Sequence, residues 1–354
     1  MTEPTITKSE SVFRKRWRKF KTLKRGYYSF WLILLAFALS WGLQFVVNDK
    51  ALLVRYQGVY TWPVTGFHTG KDYGLDQTGE PDWRKLQEQY RREAQGNWVI
   101  MPLYPYGPYS NTLLDMGENV FPPTPPDRDH WFGTDYAGRD VFARLLYGFR
   151  ISLTFGVLVL LMEYMLGVLV GATLGYCGGR VDIYGQRFVE IWSALPFLYT
   201  IMIISSMVKP NLYWLVFLMG IFAWISISFY VRGEYYREKA KDYVAAAYAQ
   251  GEGGFSIMFR QILPNALTPI ISFAPFALVG SISALTALDF LGFGLPAPMP
   301  SWGELMEQGL RDIRRNWWLM TAPATALFFT LLMIVFIGEA LREAFDPKEF
   351  ARLR

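Results

Sequence analysis

One carboxylate stands out in the sequence because it lies inside a long apolar run. Glu163 falls near the middle of the segment Ile151–Tyr176, where most neighbours are hydrophobic. An ionised carboxylate that faced lipid at this depth would cost on the order of 3 kcal/mol. We therefore expect Glu163 to face protein or a wet cavity. Two roles stay open: a residue on a translocation path, or a packing residue that is hydrogen-bonded or neutral.

A second group of candidate residues lies in a polar stretch between two apolar runs. It reads Asp242-Tyr243-Val244-Ala245-Ala246-Ala247-Tyr248-Ala249-Gln250-Gly251 and continues to Gln261-Ile262-Leu263-Pro264-Asn265. The alanines predict a short helix that ends at Gly251, and Phe255–Leu263 can form a second helix before Pro264. Such a helix–turn–helix suits insertion into a groove of another protein. An ordinary amphipathic linker is the alternative.

Signatures of covalent chemistry are absent from the sequence. Two histidines, His68 and His130, and one cysteine, Cys177, leave little for a metal site or for His-based catalysis. No G-x-x-x-x-G-K-[ST], G-x-S-x-G or H-E-x-x-H pattern occurs. We predict that the chain is not an enzyme and binds no cofactor or metal of its own. It would move a solute with another subunit's energy, form a passive pore, or act as a sensor.

The composition is that of a polytopic membrane protein. Of the 354 residues, 52% are hydrophobic and 18% are charged, whereas soluble domains carry about 25% charged residues. The net charge of +5 is not accompanied by the composition of a nucleic-acid-binding chain, and we expect no nucleic-acid partner. Six apolar runs reach or exceed the length of about 20 residues that crosses the hydrocarbon core. They are Tyr28–Val47, Ile151–Tyr176, Phe188–Val208, Leu212–Val231, Leu267–Leu288 and Leu319–Leu341.

Basic residues orient these runs. The N-terminal stretch is rich in Lys and Arg, which predicts a cytoplasmic N-terminus, and six crossings return the C-terminus to the cytoplasm. We predict a cytoplasmic N-terminus at 1–27, an uncleaved first helix at 28–47, an extracytoplasmic domain at 48–150, five further helices within 151–341, and a cytoplasmic tail at 342–354. The loop at about 232–266 would then also be cytoplasmic.

The predicted extracytoplasmic domain is rich in Tyr, Trp, Pro and Gly. Trp83–Ala94 has the pattern of one short polar helix, and the rest is typical of strands and turns. The domain is either a cap that packs on the membrane core or a docking surface for a soluble partner, and the sequence favours neither.

A stripe of glycines runs along the second apolar run. Gly167, Gly171 and Gly175 recur every four residues, which places them on one helix face and permits close backbone approach. The pattern predicts a tightly packed helix bundle and is compatible with contact to a second membrane subunit.

The polar stretch around Gly251 resembles the coupling motif of bacterial ABC importer permeases, E-A-A-x3-G-x9-I-x-L-P. Ala246, Ala247, Gly251, Leu263 and Pro264 match in register. Ala245 stands where the motif has Glu, and Gln261 where it has Ile. The resemblance implies that about Tyr243–Pro264 receives motion from an ATPase.

Further segments resemble the C-type permease subunit of dipeptide and oligopeptide importers. They are His130–Val141, with Gly133, Asp135, Gly138, Arg139 and Asp140, followed by Arg144–Gly148, Phe290–Pro296, Ser301–Glu304 and the tail Gly338–Pro347. We expect the Gly-Thr-Asp…Gly-Arg-Asp segment to fix the start of the following helix rather than to contact a peptide. The long outer loop resembles the Yej branch, whose importers carry peptides and the peptide antibiotic microcin C.

The resemblance implies an all-α inner-membrane protein with the type I ABC importer permease fold and an insertion between its first two helices. It implies a second, B-type permease, an ABC ATPase subunit with two nucleotide-binding domains that uses ATP, and a periplasmic peptide-binding protein, besides the membrane lipid. A permease for nickel or another solute is the alternative within this class. An ATP-independent channel or secondary transporter is the alternative outside it.

Overall fold

The structure of the protein, a computed structural model, describes residues 12–93, 95–113, 120–208 and 210–345. The start of the predicted N-terminal region and the end of the predicted tail, including Asp346 and Pro347, lie outside these residues. The chain forms two compact units. Among the described residues, the first unit takes in 12–34, 154–208, 210–284 and 328–345, and the second takes in 35–93, 95–113, 120–153 and 285–327.

The described chain is mostly helical. Its helices are α1 Val12–Thr22, α2 Lys24–Ser40, α3 Trp83–Glu93, α4 Val141–Cys177, α5 Gly179–Ser193, α6 Phe197–Met207, α7 Leu212–Lys239, α8 Asp242–Ala249, α9 Gly254–Phe290, α10 Trp302–Arg311 and α11 Trp317–Phe345. Its strands are β1 Leu53–Tyr56, β2 Val59–Thr61 and β3 Trp98–Ile100.

Four of these helices, α4, α7, α9 and α11, are long and apolar enough to cross a membrane. The bent pair of α5 and α6 makes a fifth span if it is counted as one. The apolar helix α2 has 17 residues, at the short end of the range of about 17–25 that spans a bilayer. Each predicted run therefore contains a helix, although α4 begins at Val141 rather than Ile151 and α7 continues to Lys239.

The predicted third span, Phe188–Val208, is broken in the structure. The structure has two helices there, α5 and α6, whose axes are bent by 68°. Pro196 lies in the break, where it has no N–H to donate and disfavours helical geometry at the preceding residue. Ala194 still closes α5 by donating its N–H to the carbonyls of Glu190 and Ile191. An apolar run therefore predicts that a segment can lie within the membrane, but not that it forms one straight helix.

The glycine stripe of α4 packs against α7 within the first unit. A Cβ added at Gly167 would lie 2.9 Å from the carbonyl oxygen of Trp224. The same test at Gly171 and Gly175 gives 2.5 Å to the Ser228 carbonyl and 2.8 Å to the Arg232 carbonyl. The absence of side chains thus lets the two helices touch backbone to backbone.

Helix α1 packs on the first unit through one aromatic face. Trp17 and Phe20 stack at 5.5 Å, and both rings meet Phe30 edge-on. Phe20 is buried with Ala340 and Ala344 of α11. The last turn of α1 carries Lys19 and Lys21, which belong to the basic stretch predicted to be cytoplasmic.

Helix α9 is not regular throughout. Ile257–Ile262 form a π-helical turn, and Ile271–Phe273 form a short 3₁₀ turn. The prediction that a helix ends before Pro264 is wrong, because the chain continues as helix through this proline. The π-helical turn ends just before Leu263, so Pro264 falls at the start of a new α-helical stretch, where a missing N–H costs little.

The second unit contains a small sheet that packs against α3. The strands lie in the order β2-β1-β3 and are antiparallel, with Val54 opposite Thr61 on one side and Val99 on the other. Val54 and Val99 are buried together with Trp83, Leu86 and Tyr90. The predicted helix at Trp83–Ala94 is therefore present as α3, although Ala94 itself lies outside the described residues.

Candidate functional site

The predicted coupling segment begins where α7 ends. Asp242 lies in the first turn of α8, where the helix dipole stabilises a negative charge. The helix ends in a Schellman motif: the Gly251 N–H donates to the Tyr248 carbonyl at 3.0 Å, and the Glu252 N–H donates to the Ala247 carbonyl at 3.1 Å. Gly251 has φ +78°, a conformation that costs other L-residues roughly 1–2 kcal/mol. The motif glycine therefore sets the sharp end of α8.

The two motif alanines of α8 lie on different faces. Ala247 is buried with Val244 in a cluster that contains residues of α4, α7 and α9. Ala246 is exposed, as are Ala245 and Ala249. The exposed face therefore has short side chains, which would allow another protein to approach its backbone closely.

Polar contacts hold α8 and the following turn in place. The buried carboxylate of Glu238 accepts hydrogen bonds from Lys241 Nζ at 2.7 Å and from Tyr243 Oη at 2.9 Å. Burial and this hydrogen bond raise the pKa of Tyr243. Glu252 accepts a hydrogen bond from Gln261 Nε2 at 3.0 Å. Gln261, the departure from the motif's Ile, thus connects the turn to α9.

The remaining residues of the predicted coupling segment lie on α9. Leu263 is half-buried and packs against the same cluster as Val244, whereas Pro264 is exposed. Phe255 is exposed on the first turn of α9, with its ring 4.6 Å from that of Phe259. We define the coupling surface as the exposed residues Ala245, Ala246, Ala249, Gly251, Phe255 and Pro264.

In the second unit, Asp140 caps α4. Its Oδ1 accepts the Ala143 N–H at 2.8 Å, as expected for an N-cap aspartate. Its Oδ2 accepts the Tyr104 hydroxyl at 2.7 Å and lies 2.7 Å from His130 Nδ1. Burial and the Asp140 carboxylate raise the pKa of Tyr104. The His130 side chain therefore contacts the residue that caps the start of α4.

The segment before Asp140 is a tight loop closed by one carboxylate. Asp135 Oδ1 accepts the N–H groups of Ala137 and Arg139, both at 2.9 Å, and its Oδ2 accepts Arg139 Nε at 2.7 Å. Gly133 has φ +68° and Gly138 has φ +71°, so both turns use the left-handed region that favours glycine. These residues fix the backbone that leads into α4.

Arg144 and Glu304 are central to this region, although the sequence places both only within segments that resemble the permease family. The fully buried Arg144 donates to the carbonyls of Pro108 and Pro298 at 3.1 Å, and its Nη2 donates to Glu304 Oε2 at 2.6 Å. Glu304 Oε1 also accepts Arg139 Nη2 at 2.8 Å. We call Asp135, Arg139, Arg144 and Glu304 the charge network. The Ser-x-x-Glu spacing of Ser301 and Glu304 marks the start of α10, but no local pattern indicates its partner Arg144.

Glu163 is not placed among the coupling residues and instead lines a cavity of about 370 Å³ in the first unit. Only 6% of the residue is exposed. Other walls come from α5, α6, α7 and α9, and include Trp192, Ser193, Phe197, Phe222, Ser226 and Ser281. Among the described residues, no three His, Cys, Asp or Glu side chains are grouped as a metal site.

Comparisons with known proteins identify the family that this chain resembles. Residues 167–350 match the family described as "Binding-protein-dependent transport system inner membrane component". The "Inner membrane ABC transporter permease protein YejE" of Escherichia coli is 41% identical over 344 residues, which cover 97% of this chain and 99% of that protein. The "Peptidoglycan transport system permease protein YejE" of Agrobacterium fabrum is 40% identical over 362 residues, covering 96% and 94%.

More distant permeases share the later part of the resemblance. The "Dipeptide transport system permease protein DppC" of Bacillus subtilis is 36% identical over 274 residues, 75% of this chain and 84% of that protein. The family match covers α5 to α11 and therefore includes the whole predicted coupling segment. The chain belongs to this family of multi-pass inner-membrane permeases, as a peptide ABC importer permease of the YejE type.

Proposed function

We propose that the chain forms, with a second B-type permease, the pathway by which an ABC importer takes up peptides or peptide-like compounds. The names of the dipeptide and oligopeptide relatives support this cargo. In this proposal, ATP is bound and hydrolysed by separate ATPase subunits, and this chain binds no cofactor. A periplasmic binding protein delivers the cargo to the face that carries residues 48–150, and both termini lie in the cytoplasm.

The coupling surface is the observation that carries this proposal. It combines exposed alanines on α8 with a sharp glycine turn and the exposed ring of Phe255. The inner side of α8 is fixed by the buried Val244 and Ala247, so a force applied to the outer side would move α7 and α9 with it. A rigid element of this kind can transmit ATPase motion to membrane helices as a rigid-body displacement.

A second cargo has support from one relative. The Agrobacterium fabrum protein carries peptidoglycan transport in its name, so fragments that combine sugar and peptide are the second candidate. Uptake of a muropeptide and of a plain peptide of similar length by the same reconstituted importer would separate the two.

The test of coupling is the substitution Gly251→Trp. No atom lies within 4 Å of a Cβ built at Gly251, so the bulk would project from the coupling surface rather than into the chain's own core. We expect the variant to retain the second permease in a mild-detergent pull-down and to lose the ATPase subunit and ATP-driven uptake.

Two controls separate bulk from backbone strain. Gly251→Asn introduces a small residue that tolerates the left-handed region, so this variant should retain the ATPase subunit in the pull-down. Gly58→Trp places the same bulk at a similar φ of +83°, also with no atom within 4 Å, on the face we propose to be periplasmic, and should retain the ATPase. Normal ATPase binding and uptake in Gly251→Trp would refute the coupling role. Uptake by the chain alone without ATP would instead favour a channel or secondary transporter.

A further inference from the structure

The carboxylate of Glu163 has no partner in the described part of the chain. The residue is 6% exposed, lies on α4 about midway along a membrane-spanning helix, and lines the cavity described above. No described residue donates a hydrogen bond to it or forms an ion pair with it. An ionised carboxylate buried in such a position is costly unless a cation or a hydrogen-bond donor is supplied.

The other polar groups of the cavity offer few donors. The indole N–H of Trp192 and the hydroxyls of Ser193 and Ser281 each donate to a backbone carbonyl, at 3.0, 2.8 and 3.0 Å. The hydroxyl oxygens of Ser193 and Ser281 can still accept. Ser226 carries a further hydroxyl that can donate or accept. The cavity therefore presents mainly acceptors, with Glu163 as its one charged residue among the described lining.

Aromatic rings form one wall of the same cavity. Trp192 stacks on Phe222 at 5.4 Å, and Phe197 meets Phe222 edge-on at 5.9 Å. Faces of aromatic rings attract cations, most strongly where water is excluded. A carboxylate, acceptor hydroxyls and aromatic rings together favour an ammonium group over a neutral or anionic group.

We propose that the Glu163 cavity binds an ammonium group of the transported peptide, supplied by its N-terminal amine or by a lysine side chain. This inference rests on the proposed function, because it takes the cargo to be a peptide. Glu163 accepts the ammonium N–H groups, Ser193 and Ser281 accept further hydrogen bonds, and the rings of Trp192 and Phe222 cover the methylene chain.

The experiment uses the complete importer in liposomes that enclose ATP, with its binding protein outside. Uptake is compared for three peptides of one length: one with a free N-terminus and neutral side chains, one N-acetylated with a single lysine, and one N-acetylated and neutral. Preferences of the binding protein cancel, because wild type and Glu163→Gln are compared as ratios between peptides. We expect Glu163→Gln to lower uptake of an ammonium-bearing peptide, relative to the neutral one, by about tenfold or more.

Glu163→Asp, which keeps the charge, should restore most of the ratio. Glu190→Gln is the matched control, because Glu190 is an exposed carboxylate paired with Arg187 at 2.6 Å, and it should leave all ratios unchanged. A loss confined to the free-amine peptide or to the lysine peptide identifies the source of the ammonium group. An equal loss for all three peptides, or no loss for any, overturns the inference. If wild type takes up none of them with ATP, the proposed function itself fails.

Discussion

Replacing Glu304 with glutamine tests whether the charge network stabilises the start of α4 and of α10. Glu304 accepts Arg139 Nη2 at 2.8 Å and Arg144 Nη2 at 2.6 Å. Hydrogen bonds to charged groups contribute about 1.5–3 kcal/mol each, whereas a neutral acceptor retains about 1 kcal/mol. Glu304→Gln keeps at most one such neutral acceptor, because its other terminal group is a donor that faces an arginine. The expected loss is therefore about 3 kcal/mol.

Hydrogen exchange followed by mass spectrometry measures this loss where it arises. A reduction of about 3 kcal/mol in the free energy of local opening makes protected amides exchange about 100-fold faster. We expect this acceleration in peptides that cover 133–145 and 302–311, with little change in peptides from α7, which belongs to the first unit. Purified wild-type and variant protein would be compared in the same detergent.

The matched control lies on the same helix. Glu307 is paired with Arg311 through two contacts of 3.0 Å, but this pair is exposed and should contribute less than about 1 kcal/mol. Glu307→Gln should therefore change exchange by less than about fivefold. Equal effects of Glu304→Gln and Glu307→Gln would refute the claim that burial gives the charge network its strength.

Three further results are expected. Gly171→Leu should destabilise the protein by about 1–3 kcal/mol, because the added Cβ would lie 2.5 Å from the Ser228 carbonyl oxygen. Gly233→Ala on α7 is the control: no atom lies within 4 Å of its Cβ, so it should be neutral or stabilising. Thermal unfolding of the two variants measures the difference. Asp140→Ala should lose about 2 kcal/mol more than Asp140→Asn, which keeps a capping side chain, and equal losses in thermal unfolding would contradict the capping role. The raised pKa of Tyr104 means that the folded chain holds this proton more tightly, so its stabilisation is complete below about pH 10 and falls as the pH rises further. Tyr104→Phe should therefore show a smaller loss of stability between about pH 9 and 11 than wild type.

The membrane spans were largely predictable, because the hydrocarbon core requires long apolar runs and few other constraints produce them. The glycine stripe was also informative: Gly167, Gly171 and Gly175 predicted close packing, and the structure supplies α7 as the partner helix. The bend at Pro196 is not predictable from the apolar run alone, because neighbouring helices can tolerate a proline inside a membrane span. The start of α4 was placed too late because Arg144 and its neighbours lower the local hydropathy, although Asp140 is a visible N-cap signal.

The charge network lay beyond sequence reasoning for a different reason. Arg144 and Glu304 are 160 residues apart, and a local pattern describes only neighbours along the chain. The resemblance identified both segments as typical of one family without saying that they meet. For Glu163 the sequence predicts only that the side chain faces protein or a wet cavity. It does not predict which residues line that cavity, because the walls come from five helices. The role of Glu163 and the coupling role of Tyr243–Pro264 stay predictions.

The π-helical turn at Ile257–Ile262 gives the spacing of the coupling segment a geometric meaning. A helix that accommodates one extra residue is rotated by about 100° beyond that point relative to a regular α-helix. The turn therefore sets the angular phase between the exposed ring of Phe255 and the buried side chain of Ile270, and the Tyr235 hydroxyl donates to the Met258 carbonyl within it at 3.0 Å. The number of residues between Gly251 and Pro264 is consequently a constraint on rotation as well as on length. Deleting one residue there would rotate Phe255 relative to Ile270 and Pro264, and so rearrange the predicted coupling surface while leaving every one of its side chains present.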